Sequence, residues 1–300
     1  MSRKIDKLSR PILRNLAPLN AARRLRSSIK LGQKPVKHKN IKNKPSKTNK
    51  KSTPQLDAIW RHILSPRKIA TIKAPHMISA AQIKEARLTW QGPPSQFEPR
   101  LLCKHDCRED RPAIFAANNL SILSASMGNY VILPTSAIFF TLPAPVGPPI
   151  ALQKNCGSLI LQLGQSESSL IDNLRYSGLF ESAQYMGEEI KYNNLFNSRH
   201  RCSFTAKVAR HPLVVSGAQY EIDSVFESDN KIMIIEAKQR NNLTNFNLRQ
   251  LYYPYRAIYD EVGRQKEIIC LFINGWRGNT TIWRIEFSNV QEMTSAKCTS

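Results

Sequence analysis

The chain has 300 residues, of which 41% are hydrophobic, and it carries a formal net charge of +22. This length and composition allow one large domain or two small ones with a buried core, and six scattered cysteines exclude a small disulfide-stapled fold. The charge is uneven, because residues 1–53 hold 17 Lys and Arg against the single acid Asp6, which leaves +6 for the other 247 residues. A segment this basic indicates a polyanionic partner, such as nucleic acid or an anionic membrane surface.

Residues 1–53 are rich in Lys, Asn and Ser and poor in aromatic residues, so we predict a disordered basic arm. This prediction ranks ahead of a targeting peptide, because Pro11 and Pro18 interrupt the apolar spacing and no apolar signal core is present. The segment 112–153 lacks charged residues, but five prolines between positions 134 and 149 divide it into pieces too short to span a bilayer. We therefore expect a cytoplasmic protein with no membrane partner.

Residues 54–141 show helical patterns followed by a hairpin. Apolar residues fall at helical spacing in "LDAIWRHIL", Ser79 is a predicted N-cap of a helix that extends through Arg87, and another helix begins near Pro112. Two short apolar runs, "LSILSAS" and "NYVIL", flank Met127-Gly128 and predict a β-hairpin. Helices followed by a hairpin are the order of a winged helix-turn-helix module, with a plain α+β scaffold domain as the alternative.

A proline-rich segment, "LPAPVGPP", predicts a linker at 142–153 before a second domain at 154–300. In this domain "SESSLIDNLRYSGLFE" is typical of a helix. The later patterns predict strands near 202–208, 219–227 and 232–238, a helix across about 246–260, and strands at 267–273 and 280–287. Helix, three strands, helix and two strands predict an α/β arrangement with a mixed sheet.

The stretch "YEIDSVFESDNKIMIIEAK" places acidic residues in two consecutive predicted strands. With a two-residue turn at Asp229-Asn230, Asp223 lies directly across from Glu236, and Lys238 shares the face of Glu236. Opposed carboxylates repel each other, so two of them in this position favour a functional role over incidental surface charge. Mg²⁺ binds a pair of carboxylates together with waters, and the adjacent lysine could hold a water or stabilise charge on phosphorus.

Asp223 followed thirteen positions later by Glu236-Ala237-Lys238 resembles the signature of the PD-(D/E)xK nuclease superfamily, although Ile222 stands in place of the motif proline. A wider likeness, across residues 54–290, is to a group of bacterial type II restriction endonucleases. It rests on "EPRLLCKHDCREDRPAIFAANNLSILSASMGNYVI", "LIDNLRYSGLFE", "QYEIDSVFES", "IIEAK" and "NFNLRQLYYPYR". The resemblance implies a C-terminal restriction-endonuclease-like αβββαβ core behind the winged-helix-like module.

The resemblance to these endonucleases also implies that Asp223 and Glu236 bind Mg²⁺ and that Lys238 assists the attacking water. The implied reaction is hydrolysis of phosphodiester bonds at specific sites in double-stranded DNA, with a cognate DNA methyltransferase in the same system. A homodimer would supply two centres for cutting both strands. The alternatives are a repair or recombination nuclease of the same fold and a non-catalytic winged-helix DNA-binding regulator.

Other residues are candidates for supporting roles. An upstream acid, Glu167 or Asp172, often completes such sites, and Glu221 falls near Lys238 in the predicted register. Gln250 resembles the glutamine of a Gln-x-x-x-Tyr helix in one branch of the superfamily, with one extra residue before Tyr255. The candidates for contacts with DNA phosphates or bases are Arg249, Arg256, Gln82, Lys84 and Arg87.

Overall fold

A computed structural model of the protein describes residues 54–93, 97–145, 149, 151, 166–193, 195 and 199–299. The predicted basic arm at 1–53 and most of the predicted linker at 142–153 lie outside these residues. The described residues fall within one compact unit, 47–300. None of the described helices is both long and apolar enough to cross a membrane.

The first part of the chain folds as helices followed by a hairpin, as the pattern predicts. Its elements are α1 (Pro54–Ile63), α2 (Pro66–Ala70), β1 (His76–Ser79), α3 (Ala80–Ala86), α4 (Pro99–Leu102), α5 (Ala113–Ala117), β2 (Ser121–Ser126), β3 (Asn129–Leu133) and β4 (Phe139–Thr141). The predicted N-cap is confirmed, since the Ser79 side chain accepts from the backbone N–H of Gln82. The predicted hairpin at Met127-Gly128 is also confirmed by the antiparallel pairing of β2 with β3.

The second part contains two α-helices and eight strands among its described residues. They are α6 (Glu167–Tyr176), β5 (His200–Val208), β6 (His211–Tyr220), β7 (Ser224–Glu227), β8 (Lys231–Lys238), β9 (Asn245–Asn247), α7 (Arg249–Val262), β10 (Glu267–Trp276), β11 (Asn279–Phe287) and β12 (Ala296–Thr299). The prediction of one strand at 219–227 was wrong, because the chain leaves β6 after Tyr220 and enters β7 at Ser224.

The chain leaves β6 and enters β7 because these strands belong to two different five-stranded sheets. The first has the order β1-β3-β2-β6-β5, and the second has the order β12-β11-β10-β8-β7. Residues 221–223 are the crossing between the two sheets, since β6 belongs to the first and β7 to the second. In the second sheet β8 runs parallel to β10 and antiparallel to β7, so the sheet is mixed. The protein is therefore a mixed α/β protein with open sheets.

Strand β8, between β10 and β7 in the second sheet, is buried on both faces, as its continuous apolar run indicates. Ile235 and Ala237 pack in a core cluster with Ile171 and Leu174 of α6, whereas Ile234 faces the main core with α7. Strand alternation then directs Glu236 and Lys238 to the side opposite Ile235. A strand that is apolar on both faces thus ends in two charged residues that share one face.

Candidate functional site

A cleft of about 340 Å³ lies where the two parts of the chain meet. Residues of α4, the segment after it and the β2–β3 hairpin line one side. The other side is formed by the crossing at 221–223, the end of β8, and the first turns of α6 and α7. The predicted acids and lysine therefore line a cleft that both parts of the chain build.

The predicted register of the β7–β8 hairpin is confirmed. Ser224 pairs with Ile235 and Glu227 pairs with Ile232, with Asp229-Asn230 as the turn between the strands. The backbone N–H of Ser228 donates to the carbonyl of Lys231 over 2.9 Å, which closes the turn. One step beyond the Ser224–Ile235 pair, the same register sets Asp223 across from Glu236.

Asp223 is held by its own side chain rather than by strand pairing. Its Oδ2 accepts a hydrogen bond of 2.7 Å from the backbone N–H of Ala237. This bond lies between the two motif residues Glu236 and Lys238, so it fixes the Asp223 carboxylate beside them. Asp223 lies in the crossing between the two sheets, so it is outside the backbone pairing of β7 with β8. The hydrogen bond from Ala237 to its side chain takes the place of that pairing.

Glu236 is the centre of a hydrogen-bond network. It is only 6% exposed, and its Oε1 accepts from the Lys238 ammonium and from the side-chain amide of Gln250. Lys238 also donates to the carbonyl of Ala237 over 3.1 Å. The structure thus brings together Asp223, Glu236, Lys238 and Gln250, which are four of the residues predicted from the sequence.

Burial changes the protonation of this network. The pKa of the Glu236 carboxyl is raised to about 8, chiefly by burial and also by the nearby Asp223 carboxylate, while Lys238 opposes the shift. Burial alone would lower the pKa of Lys238, but Glu236 and Asp223 together hold it above its ordinary value. The charges around Lys238 thus favour its ammonium form, and burial favours the protonated form of the Glu236 carboxyl when no cation is bound.

The structure separates the two candidate upstream acids. Glu167, in the first turn of α6, lines the cleft, and burial raises the pKa of its carboxyl, with Lys238 and Asp223 as the largest charge influences. Asp172 is partly buried further along α6 and is not among the residues that line the cleft. Of the two alternatives, Glu167 is the one near the other acids.

Glu221 and Lys238 line the same cleft, but the strand pairing between them that the predicted register suggests does not form. Glu221 Oε1 instead accepts from Arg100 and from Arg199, each over 3.0 Å. The expected pairing fails because β6 ends at Tyr220, so Glu221 lies in the crossing and not on a strand opposite β8.

The two arginines of α7 lie in different surroundings. Arg249 lines the cleft, whereas Arg256 is 7% exposed and donates to the Asp260 carboxylate and to the carbonyl of Val290. The guanidinium of Arg256 also lies 5.2 Å from the centre of the Phe204 ring. Arg256 holds helix α7 in place, and we no longer assign it a contact with DNA phosphate.

The residues predicted to contact bases, on α3 and directly after it, do not line the cleft. The Gln82 amide oxygen accepts from the backbone N–H of Ser79 and completes a capping box, so this group is already used within the helix. Lys84 and Arg87 are exposed and do not line the cleft. Their contact with DNA stays a prediction.

The carboxylate oxygens of the cleft are ligands that suit a hard divalent cation. The described residues contain no group of three or more His, Cys, Asp or Glu side chains arranged around a common point. Mg²⁺ needs only one or two carboxylates, because it keeps several of its waters, so Asp223 and Glu236 suffice. Within the described part of the chain, the buried Oε1 of Gln250 has no hydrogen-bond partner, and a metal-bound water would supply the missing donor.

Sequence reasoning missed the residues that the first part of the chain adds to the cleft. They include Arg100, Lys104, Met127 and Gly128. Arg100 lies 121 positions from Glu221, so no local pattern could show that these side chains meet. The stretch "EPRLLCKHDCRED" around Arg100 and Lys104 has more acids than Lys and Arg, so its charge gave no signal either.

Fold and site together define an α/β protein with open mixed sheets, in which a buried carboxylate–lysine network meets a basic cleft rim. Residues 142–300 match a family model described as a domain of unknown function, DUF6997, and residues 57–132 match another, DUF6996. Because the first match covers more than half of the chain, the protein belongs to the DUF6997 family. No curated protein and no solved structure matches the chain.

Proposed function

We propose that the cleft hydrolyses phosphodiester bonds in double-stranded DNA with Mg²⁺, as a type II restriction endonuclease of the PD-(D/E)xK superfamily. One observation carries the proposal. Asp223, Glu236 and Lys238 meet at the end of the β7–β8 hairpin through the Ala237 N–H bond and the Glu236 network. Strands β5 to β9 lie between α6 and α7, and in the second sheet β8 runs parallel to β10, the strand after α7; this helix–strands–helix–strand order supports a core of the αβββαβ type.

In this proposal Asp223 and Glu236 hold the cation, with Glu167 as the third acid of the cleft. The bound Mg²⁺ would supply an activated water and neutralise charge on the phosphate. Lys238 stabilises the negative charge that develops on phosphorus, because its raised pKa keeps the ammonium protonated. Gln250 orients the Glu236 carboxylate from helix α7.

The first part of the chain would act as a winged-helix-like DNA-binding module. Its helices precede the β2–β3 hairpin, and β1 adds a third strand to that hairpin by pairing with β3. The tip of this hairpin, Met127-Gly128, lines the same cleft as the acids. DNA held by this module would therefore lie against Asp223 and Glu236.

The test is digestion of plasmid DNA with Mg²⁺ or with EDTA. We expect Mg²⁺-dependent cleavage, and we expect Asp223→Asn to reduce it at least about a hundredfold through the loss of one charged group at the reacting centre. Asn can still accept the Ala237 hydrogen bond, so the fold should persist. Asp229→Asn, the same change at the exposed turn of the same hairpin, should cut like the parent.

The products distinguish the alternatives. A fixed banding pattern supports restriction at specific sites, whereas smearing or cutting only at junctions supports a repair or recombination nuclease of the same fold. A parent protein that binds duplex DNA but never cuts it with Mg²⁺ would refute the nuclease proposal in favour of a non-catalytic regulator. A DNA methyltransferase gene next to this one would support restriction.

A further inference from the structure

Two arginines that are far apart in the sequence meet at one oxygen beside the cleft. Arg100 Nη2 and Arg199 Nε each donate to Glu221 Oε1 over 3.0 Å. The three side chains are exposed by 55%, 61% and 49%, so water reaches all of them. This cluster of two positive charges and one negative charge keeps a net positive charge.

Such a cluster contributes little to folding stability, because water screens exposed ion pairs. A guanidinium binds a carboxylate and a phosphate with the same fork of N–H donors. The Glu221 carboxylate therefore occupies the place that a phosphate oxygen would take. It also restrains two long side chains that would otherwise be free.

The cluster is next to the candidate metal ligands. Glu221 precedes Asp223 by two residues, and both line the cleft with Arg100, Lys104 and Arg249. A DNA strand whose scissile phosphate lies at Asp223 would carry a neighbouring backbone phosphate past this rim. The positive charges of Arg100 and Lys104 face that path from the first part of the chain.

We propose that Arg100 and Arg199 form a phosphate clamp, which binds a DNA backbone phosphate next to the cleavage site in exchange for Glu221. Glu221 holds both guanidinium groups in position before DNA arrives and competes with the phosphate for them. This proposal rests on the proposed function, since it takes duplex DNA as the substrate. It predicts opposite effects on DNA affinity when the arginines or the glutamate are replaced.

The experiment measures the binding of a fluorescent duplex oligonucleotide to the full chain by anisotropy, in EDTA and across a series of salt concentrations. Arg100→Ala/Arg199→Ala should weaken binding roughly tenfold and reduce the salt slope by about 1 to 2, because neutralised phosphates set that slope. Glu221→Gln should tighten binding about threefold or more. A gain in affinity cannot result from partial unfolding.

The matched control is Arg61→Ala/Lys191→Ala. Each of these cations is 47% exposed and paired with one carboxylate, Asp57 or Asp229, and neither lines the cleft. If the clamp variant binds no more weakly than this control, or if Glu221→Gln fails to tighten binding, the clamp proposal is refuted.

The same measurements separate the clamp from the nuclease. If the parent never cuts DNA with Mg²⁺ while both affinity changes occur, the clamp stands as a DNA-binding site and the nuclease proposal fails. If the parent cuts DNA while both variants bind like the control, the nuclease stands and the clamp fails. A parent that binds no duplex DNA refutes both.

Discussion

Two groups of ion pairs at the cleft have opposite surroundings, and we call them its buried side and its exposed side after the exposure of their side chains. On the buried side, the side chains of Lys238 and Glu236 are 11% and 8% exposed. On the exposed side, the side chains of Arg100, Arg199 and Glu221 are about half exposed. Burial shifts the pKa of Glu236 to about 8, whereas water leaves the second group of side chains free to exchange partners. In our proposals, chemistry is assigned to the buried side and phosphate binding to the exposed side.

The largest effect on folding stability should come from replacing Arg256, a buried cation on helix α7, which also carries Gln250. Arg256→Ala should reduce the free energy of unfolding by about 2–3 kcal/mol, because a packed side chain is removed, the Asp260 carboxylate loses its cation and the Val290 carbonyl keeps only the Tyr252 hydroxyl as a donor. Chemical denaturation of the full chain measures this change.

Arg249→Ala is the control for Arg256→Ala, because Arg249 is on the same helix but lines the cleft. It should change stability by less than about 0.5 kcal/mol and weaken DNA binding instead. Equal stability losses for the two variants would contradict the contrast between buried and exposed sides.

The second effect concerns the pH dependence of stability. The pKa of Glu236 is raised to about 8 in the folded protein from an ordinary value of 4.5. The folded state therefore keeps a proton that the unfolded state loses, and stability falls as pH rises from about 4.5 to about 8. Without divalent cations, Glu236→Gln should be more stable than the parent at pH 8 by at least about 1 kcal/mol, with the difference vanishing near pH 4.

Thermal unfolding in EDTA at several pH values measures this difference. Gln can still accept from Lys238 and Gln250, so the network geometry is kept. A stability difference that is constant from pH 4 to pH 9 would show that Glu236 is not protonated in the folded state. Added Mg²⁺ should stabilise the parent more as pH rises to about 8, because the cation must displace that proton.

Local patterns were sufficient to predict the β7–β8 hairpin and its charged end. A two-residue turn fixes the register, and strand alternation then assigns Glu236 and Lys238 to one face. The Ser79 N-cap and the β2–β3 hairpin were predictable for the same reason, since each depends on neighbours within a few positions. Asp223, Glu236 and Lys238 could therefore be placed from the sequence.

Long-range contacts determined what could not be predicted. The break at 221–223 exists because the chain changes sheets there, and sheet membership depends on strands far away in the sequence. Arg256 is buried by the segment that contains Val290, which helix periodicity does not show. Glu221 pairs with Arg100 from the other side of the cleft, a contact that the local register does not show.

The smallest effect should be on the exposed side, where Glu221→Gln should change the free energy of unfolding by less than about 1 kcal/mol at every pH from 6 to 9. Both partners of Glu221 are arginines, which stay charged across this range, and its carboxylate remains in water. The same denaturation measurements with Glu236→Gln make the comparison direct, because one carboxylate is replaced in each case. A loss of several kcal/mol for Glu221→Gln would mean that the Arg100–Glu221–Arg199 contacts hold the two parts of the chain together. A small loss leaves these contacts free to exchange the carboxylate for a phosphate.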